Sequence, residues 1–271
     1  MVRSLWTAAS GMIAQQNNVD TIANNLANVN TTGYKTEVAE FKSLLYQDIQ
    51  ARTTSANGEN KPVPAQVGLG VRNSAINSIF SQGNFYDSSN DLAFAISGDG
   101  FFAVKAADGG TYYTRNGDFH LATMPNGLAL TTSDGSLVLD TKGKEITFGK
   151  DIVSSKITIT GDGQICYPDK SNNPAPMGMQ IGLWQFNNPS GLTKTGSTQF
   201  QESAASGTPL NESTDKNVIK SEIRQGYLEG SNVQVADEMV NMIVAQRAYE
   251  LNSKAIQASD EMMQQANNLR R

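Results

Sequence analysis

Apolar residues at seven-residue intervals occupy both ends of this chain, and they constrain its fold more than any other feature. At the N-terminus one series runs Leu5, Met12, Val19, Leu26, and a second runs Ala8, Gln15, Ile22, Val29. The two are offset by three and four residues, the spacing of a helical seam. A helix from Arg3 to Asn30 would be about 42 Å long. Gly33 is placed to end it in a left-handed conformation. At the other end, the chain from Val235 onward contains no Pro and no Gly. One stripe there passes through Val244, Ala248, Leu251, Ala255, Ala258, Met262 and Leu269. Another passes through Val235, Met239, Met242, Tyr249, Ile256 and Met263. Two stripes make a face wider than one partner helix covers. Ser231 or Asn232 would cap the start of this helix, and Arg270 and Arg271 suit its negative end.

The middle of the chain reads as β-structure. Turn signals recur at Asp108-Gly109-Gly110, Asn126-Gly127, Asp134-Gly135, Lys142-Gly143 and Asp162-Gly163. Between them lie strand-like runs: Phe101–Lys105, Ser136–Asp140, Glu145–Phe148 and Lys156–Thr160. Gly-containing turns at this spacing predict hairpins of an antiparallel sheet. Ala51–Gln66 and Ser203–Lys216 read as linkers. The fold class is therefore α+β. N- and C-terminal helices pair as a coiled-coil layer, joined through extended arms to a central, mainly antiparallel β-domain. The expected boundaries are 1–32 for the first helix, 33–75 for an arm and linker, 76–215 for the β-domain, 216–232 for a return arm and 233–271 for the last helix.

Composition narrows the function. Hydrophobic residues are 38% and charged residues 17% of 271, low for one compact globule, while the net charge is −5. No basic field exists to recruit nucleic acid or an anionic membrane. No apolar run reaches the length of a membrane span. The N-terminal apolar stretch is broken by Ser4, Thr7, Ser10 and Gly11, unlike a secretory signal. Cys166 and His120 are the only residues of their kinds. No intrachain disulfide, cysteine-rich zinc site or multi-His centre can form. Gly98-Asp99-Gly100 is a turn entering a strand rather than a phosphate loop. His120 and Cys166 sit in strand-like runs and read as structural. No catalytic residue, cofactor or metal site is expected.

Bare apolar stripes usually mark an interface, so the seams point to burial between subunits. A two-helix hairpin packed on its own β-domain is the plainer alternative. Two longer segments then carry a resemblance. Ala23-Asn24-Asn25-Leu26-Ala27-Asn28-Val29-Asn30-Thr31-Thr32-Gly33-Tyr34-Lys35 resembles the N-terminal signature of the flagellar basal-body rod and hook protein family. Glu238-Met239-Val240-Asn241-Met242-Ile243-Val244-Ala245-Gln246-Arg247-Ala248-Tyr249-Glu250 resembles that family's C-terminal motif. Ser81–Asn84, Leu92–Val104, Tyr113–Gly117 and Gln225–Val233 also match, in order. Leu251–Ala255 and the Tyr46–Gly70 segment look like the distal-rod branch.

The resemblance implies an exported structural subunit that polymerises with many copies of itself into a hollow tube crossing the cell envelope. Its terminal helices would form the inner layer. Proximal rod proteins, hook or hook-side proteins and the flagellar type III export apparatus would be its partners, without nucleic acid or membrane insertion. Export would need no cleaved signal. Leu5, Ala8, Met12, Val19, Ile22, Leu26, Val29, Met242, Val244, Tyr249, Leu251 and Met262 would be the seam. Ala23, Ala27, Ala248 and Ala255 would allow close helix approach. Asn24, Asn25, Asn28 and Gln246 would hydrogen-bond across helices or to arm backbone, and Gly33-Tyr34 would turn the chain into the arm. Phe41 and Leu45 resemble the family's short export-gate motif; the plainer reading is that they anchor the arm. Other readings are a proximal-rod or hook paralogue, a non-polymerising exported adaptor, and an envelope enzyme, for which no motif speaks.

Overall fold

The computed structural model describes residues 2–50, 65–125, 127–149, 152–169, 173–196, 198–215 and 218–269. The chain divides into two compact units. One contains residues 1–27, 37–77 and 234–271; the other contains 28–36 and 78–233.

The helical unit is built on α1 (Val2–Ala27) and α2 (Val235–Asn268). Four strands join them: β1 (Glu37–Ser43), β2 (Tyr46–Gln50), β3 (Ala65–Gly68) and β4 (Val71–Ser78). β1 pairs with β4, and β2 pairs antiparallel with β3. α1 packs along α2 and against β1. Residues 51–64 of the expected linker, and the expected dipole partners Arg270 and Arg271, lie outside the described residues.

Two expectations about the helix ends are corrected. α1 stops at Ala27, and Asn28–Asn30 form turns instead of a further helical turn. Gly33 does have positive φ, at +69°, but it turns the chain beyond the helix rather than capping it. α2 begins after Gln234, which has no side-chain cap bond. Asn232 is not free to cap it. Its Oδ1 accepts from Thr36 N at 2.7 Å and its Nδ2 donates to Ile79 O at 2.9 Å. Asp237 and Glu238 in the first turn of α2 suit the positive end of the helix dipole.

The β-rich unit is antiparallel throughout its recorded pairings. Its largest sheet has ten strands. Phe101–Lys105 is an internal strand of that sheet, pairing with Thr111–Thr114, Leu137–Val138 and Leu183–Gln185. Alternation along it explains its composition. Phe102 and Val104 enter a core with Phe94, Ile96, Phe119, Leu130 and Ile165. Phe101 and Ala103 enter a second cluster with Tyr113, Phe186 and Phe200. A strand buried on both faces needs a continuous apolar run, not an alternating one. Each buried Phe contributes roughly 1.5–3 kcal/mol.

The expected turns at Asp108-Gly109-Gly110, Asp134-Gly135, Lys142-Gly143 and Asp162-Gly163 form, with Gly135 at φ +82° and Gly143 at φ +73°, while Asn126 of the fifth lies outside the described residues. The strands between them are shorter than expected. Leu137–Val138 replaces Ser136–Asp140, because Leu139 and Asp140 make only single bridges, to Glu145 and Ile181. Thr147–Phe148 and Thr158–Ile159 replace the other two short runs. Cys166 is buried in a strand, and the His120 side chain is mostly exposed.

Candidate assembly surfaces

The intrachain face between the helices differs from the one the apolar pattern selects. Ser4 Oγ lies 3.4 Å from Ser259 Oγ. A Cβ added to Gly11 would lie 2.9 Å from Asn252 Nδ2. Asn25 Nδ2 donates to Glu238 Oε1 at 3.4 Å. Each step of seven or fourteen residues up α1 is matched by an equal step down α2, so the helices are antiparallel in one register. Ala245, in the same α2 series, is buried, as are Glu238 and Ser259. Gly11, and not one of the expected alanines, faces Asn252 across the helix pair. Ala23, Ala27 and Ala255 are exposed, and Ala248 is half-buried.

The apolar seam of α2 is left outside. Val244 is 62% exposed, Leu251 66% and Met262 51%. Tyr249 and Gln246 are exposed with them. The second α2 stripe turns partly inward, with Met242, Ile256 and Met263 half-buried. On α1, Ala8 and Ile22 are buried, while Leu5, Met12, Val19 and Leu26 are half-buried. Trp6 and Ile13 are exposed on α1. The helical unit therefore carries large apolar side chains that stay exposed among the described residues.

The asparagines at the end of α1 separate in role. Asn25 is buried, and its amide clamps one backbone residue: Nδ2 donates to Glu37 O at 2.8 Å and Oδ1 accepts from Glu37 N at 2.9 Å. With Glu238 on its other side, it joins α1 to β1 and α2. Asn24 is exposed, and its Nδ2 donates to Glu37 Oε2 at 3.2 Å. Asn28 accepts from Thr31 in the turn after α1, where Val29 is half-buried. Glu238 is desolvated by its burial, which raises its carboxyl above the usual value; the Asn25 bond opposes that shift.

A buried ion cluster in the β-rich unit escaped the sequence reading. Glu229 Oε1 accepts from Lys35 Nζ at 2.7 Å and from Gly83 N at 2.9 Å. Its Oε2 accepts from Arg115 Nη1 at 3.2 Å. All three charged side chains are at most 1% exposed. Lys35 Nζ also donates to Ser81 O at 2.7 Å. Arg115 lies 5.1 Å from the centroid of the Phe101 ring. Burial pushes the Lys35 ammonium below its ordinary pKa, against the pull of Glu229. Gly33 N donates to Glu229 O at 2.8 Å, and Tyr34 is buried beneath Lys194, whose Nζ is 4.7 Å from its ring centroid. Four of the six resembling motifs thus meet at one carboxylate. The available signal was one charge in each of three motifs of a charge-poor chain.

Phe41 and Leu45 differ in how far the described residues cover them. Phe41 on β1 is 38% exposed, and Leu45, in the link to β2, is 86% exposed. In the β-rich unit, a cleft is lined by Thr141, Asp162, Gln180, Glu212 and Lys220. Glu212 offers it no free carboxylate: Oε2 accepts from Ser221 N at 2.7 Å, and Oε1 from Ser221 Oγ and Gln185 Nε2, each at 2.8 Å. Among the described residues no three of His, Cys, Asp and Glu gather as metal ligands, and no helix is long and apolar enough to cross a membrane.

Comparison with known proteins places these features in a family. Residues 5–35 match the family described as "Flagella basal body rod protein". Residues 95–167 match "Flagellar hook protein FlgE/F/G D1 domain", and residues 224–269 match "Flagellar basal body rod FlgEFG protein C-terminal". The "Flagellar basal-body rod protein FlgG" of Borreliella burgdorferi is 46% identical over 277 residues, covering all of both chains. The protein of the same name from Agrobacterium fabrum is 42% identical, covering 96% of this chain and 97% of its own. That from Bacillus subtilis is 38% identical over the full length of both.

Proposed function

The chain belongs to the flagellar basal-body rod protein family, and from that membership we propose how its surfaces serve a rod. The chain is a structural subunit of the distal rod. Copies polymerise into a hollow helical drive shaft that carries torque toward the hook. α1 and α2 form a coiled-coil inner layer with the helices of neighbouring subunits. Residues 1–32 and 233–271 supply that layer, 33–75 and 216–232 the arms, and 76–215 the central β-domain. Its work is mechanical, and no catalytic step is assigned to it.

One observation carries this reading. The seam through Val244, Leu251 and Met262 is apolar and exposed, although α2 already packs on α1 through another face. Covering it by neighbours removes that surface from water, at about 25 cal/mol per Å². Leu251→Asp would bury a charge there, at several kcal/mol per subunit. Cells carrying only that variant are expected to be non-motile, with hook–basal bodies lacking the distal rod. The purified variant keeps the near-ultraviolet circular dichroism of its β-rich unit. Normal motility would remove the seam assignment.

The subunit leaves the cell body through the flagellar export apparatus without a cleaved signal, and Phe41 and Leu45 are the side chains offered to its gate. Their exposure supports this over an anchoring role. Phe41→Ala with Leu45→Ala is expected to cut secretion about tenfold or more while leaving thermal stability unchanged. A fall in stability with secretion intact would favour anchoring.

A further inference from the structure

We infer that the polar heptad series between α1 and α2 sets the register of the intrachain helix pair. The series comprises Ser4, Gly11 and Asn25 on one helix, and Ser259, Asn252 and Glu238 on the other. An apolar seam alone is a poor choice for this task. It can slip by seven residues and still bury apolar side chains, because its pattern repeats. The contacts in this series do not repeat. Gly11 faces the Asn252 amide of α2, which a Cβ at Gly11 would crowd at 2.9 Å. Asn25 is buried, and β1 fixes its amide through both Glu37 backbone groups, so the bond its amide gives Glu238 exists in one register only. Glu238 is buried as well. A one-heptad slip would leave that carboxylate without the Asn25 amide, and a buried polar group that loses its partner is costly. The small-to-polar face thus decides which residues of the two helices meet, and the apolar faces remain available to other surfaces.

Intrachain cross-linking tests this on the dilute full-length protein, independently of polymerisation. Cys166→Ala removes the native thiol. In that background Ser4→Cys with Ser259→Cys samples the observed register, and Ser4→Cys with Ala266→Cys samples a slip of one heptad. The first pair is expected to form a disulfide within one chain, favoured about tenfold or more over the second. Adding Asn25→Leu and Glu238→Leu should abolish that preference, and so should the milder pair Asn25→Ala and Glu238→Ala. Glu238→Gln, which can still accept from Asn25, should retain it. Equal cross-linking of the two pairs in the parent would overturn the inference. So would an undiminished preference in both double variants, or disulfides formed only between chains.

Discussion

Glu229→Ala is expected to lower the thermal midpoint of the β-rich unit by the order of 10 °C. The carboxylate uses both oxygens, one on Lys35 and Gly83 and the other on Arg115. Its removal strands two cations that have essentially no contact with water. Breaking a buried pair by deleting one partner costs about 3–5 kcal/mol, because the remaining charge is neither hydrated nor paired. Lys35→Met is expected to cost less. It leaves Glu229 and Arg115 as a balanced pair. It also removes an ammonium whose burial already disfavours its charged form. The sign of the pH dependence follows. The folded pKa of Lys35 lies below its ordinary 10.5, so the folded protein binds fewer protons there than the unfolded chain. This group's cost is present at neutral pH and is relieved as pH rises from the lowered value toward 10.5. Denaturation followed by near-ultraviolet circular dichroism at several alkaline pH values should show this relief in the parent and not in Lys35→Met.

Gly33→Val is expected to be nearly as damaging, for a reason of backbone rather than charge. Gly33 has φ +69°, a region that β-branched residues essentially do not occupy. A Cβ there would lie 2.6 Å from Asn116 N and 2.7 Å from Arg115 C. Both are backbone atoms in the strand-end turn that carries Arg115, so neither yields cheaply. The substitution would lift Gly33 N from Glu229 O and draw Tyr34 and Lys35 from their buried positions. A loss of about 3 kcal/mol or more, read from urea denaturation, is expected, with polymerisation impaired in parallel. Gly33→Ala should show most of the effect, because its Cβ meets the same atoms. An unchanged midpoint would contradict this account of the turn.

These two positions also mark the limit of what the sequence makes legible. The helices are readable because apolar residues repeat along them, and the hairpins because Gly follows Asp or Lys at regular intervals. The Phe101–Lys105 strand is readable from its unbroken apolar run. The face on which α1 meets α2 is not, since Ser, Gly, Asn and Ala give no hydrophobic period. Apolar periodicity instead selects Val244 and Leu251, which this chain leaves exposed. Charge misleads in the opposite direction. Lys35, Arg115 and Glu229 belong to types that are usually solvated. Only three-dimensional proximity between residues up to 194 positions apart reveals that they are buried together. Asn232 illustrates the same difficulty. It stands where a helix cap would be, yet its amide is committed to residues 36, 79 and 81.

The span of that ion cluster fixes when the β-rich unit can finish folding. During synthesis Lys35 and Arg115 emerge long before Glu229, the carboxylate that pairs both. Until residue 229 is available, neither cation has the counter-charge its final position requires. Contacts of such separation carry a large loop-closure cost and form late. Closure of this cluster therefore awaits a residue near the end of the chain, while hairpins such as Phe119–Met124 with Gly127–Thr132 need nothing beyond themselves to pair.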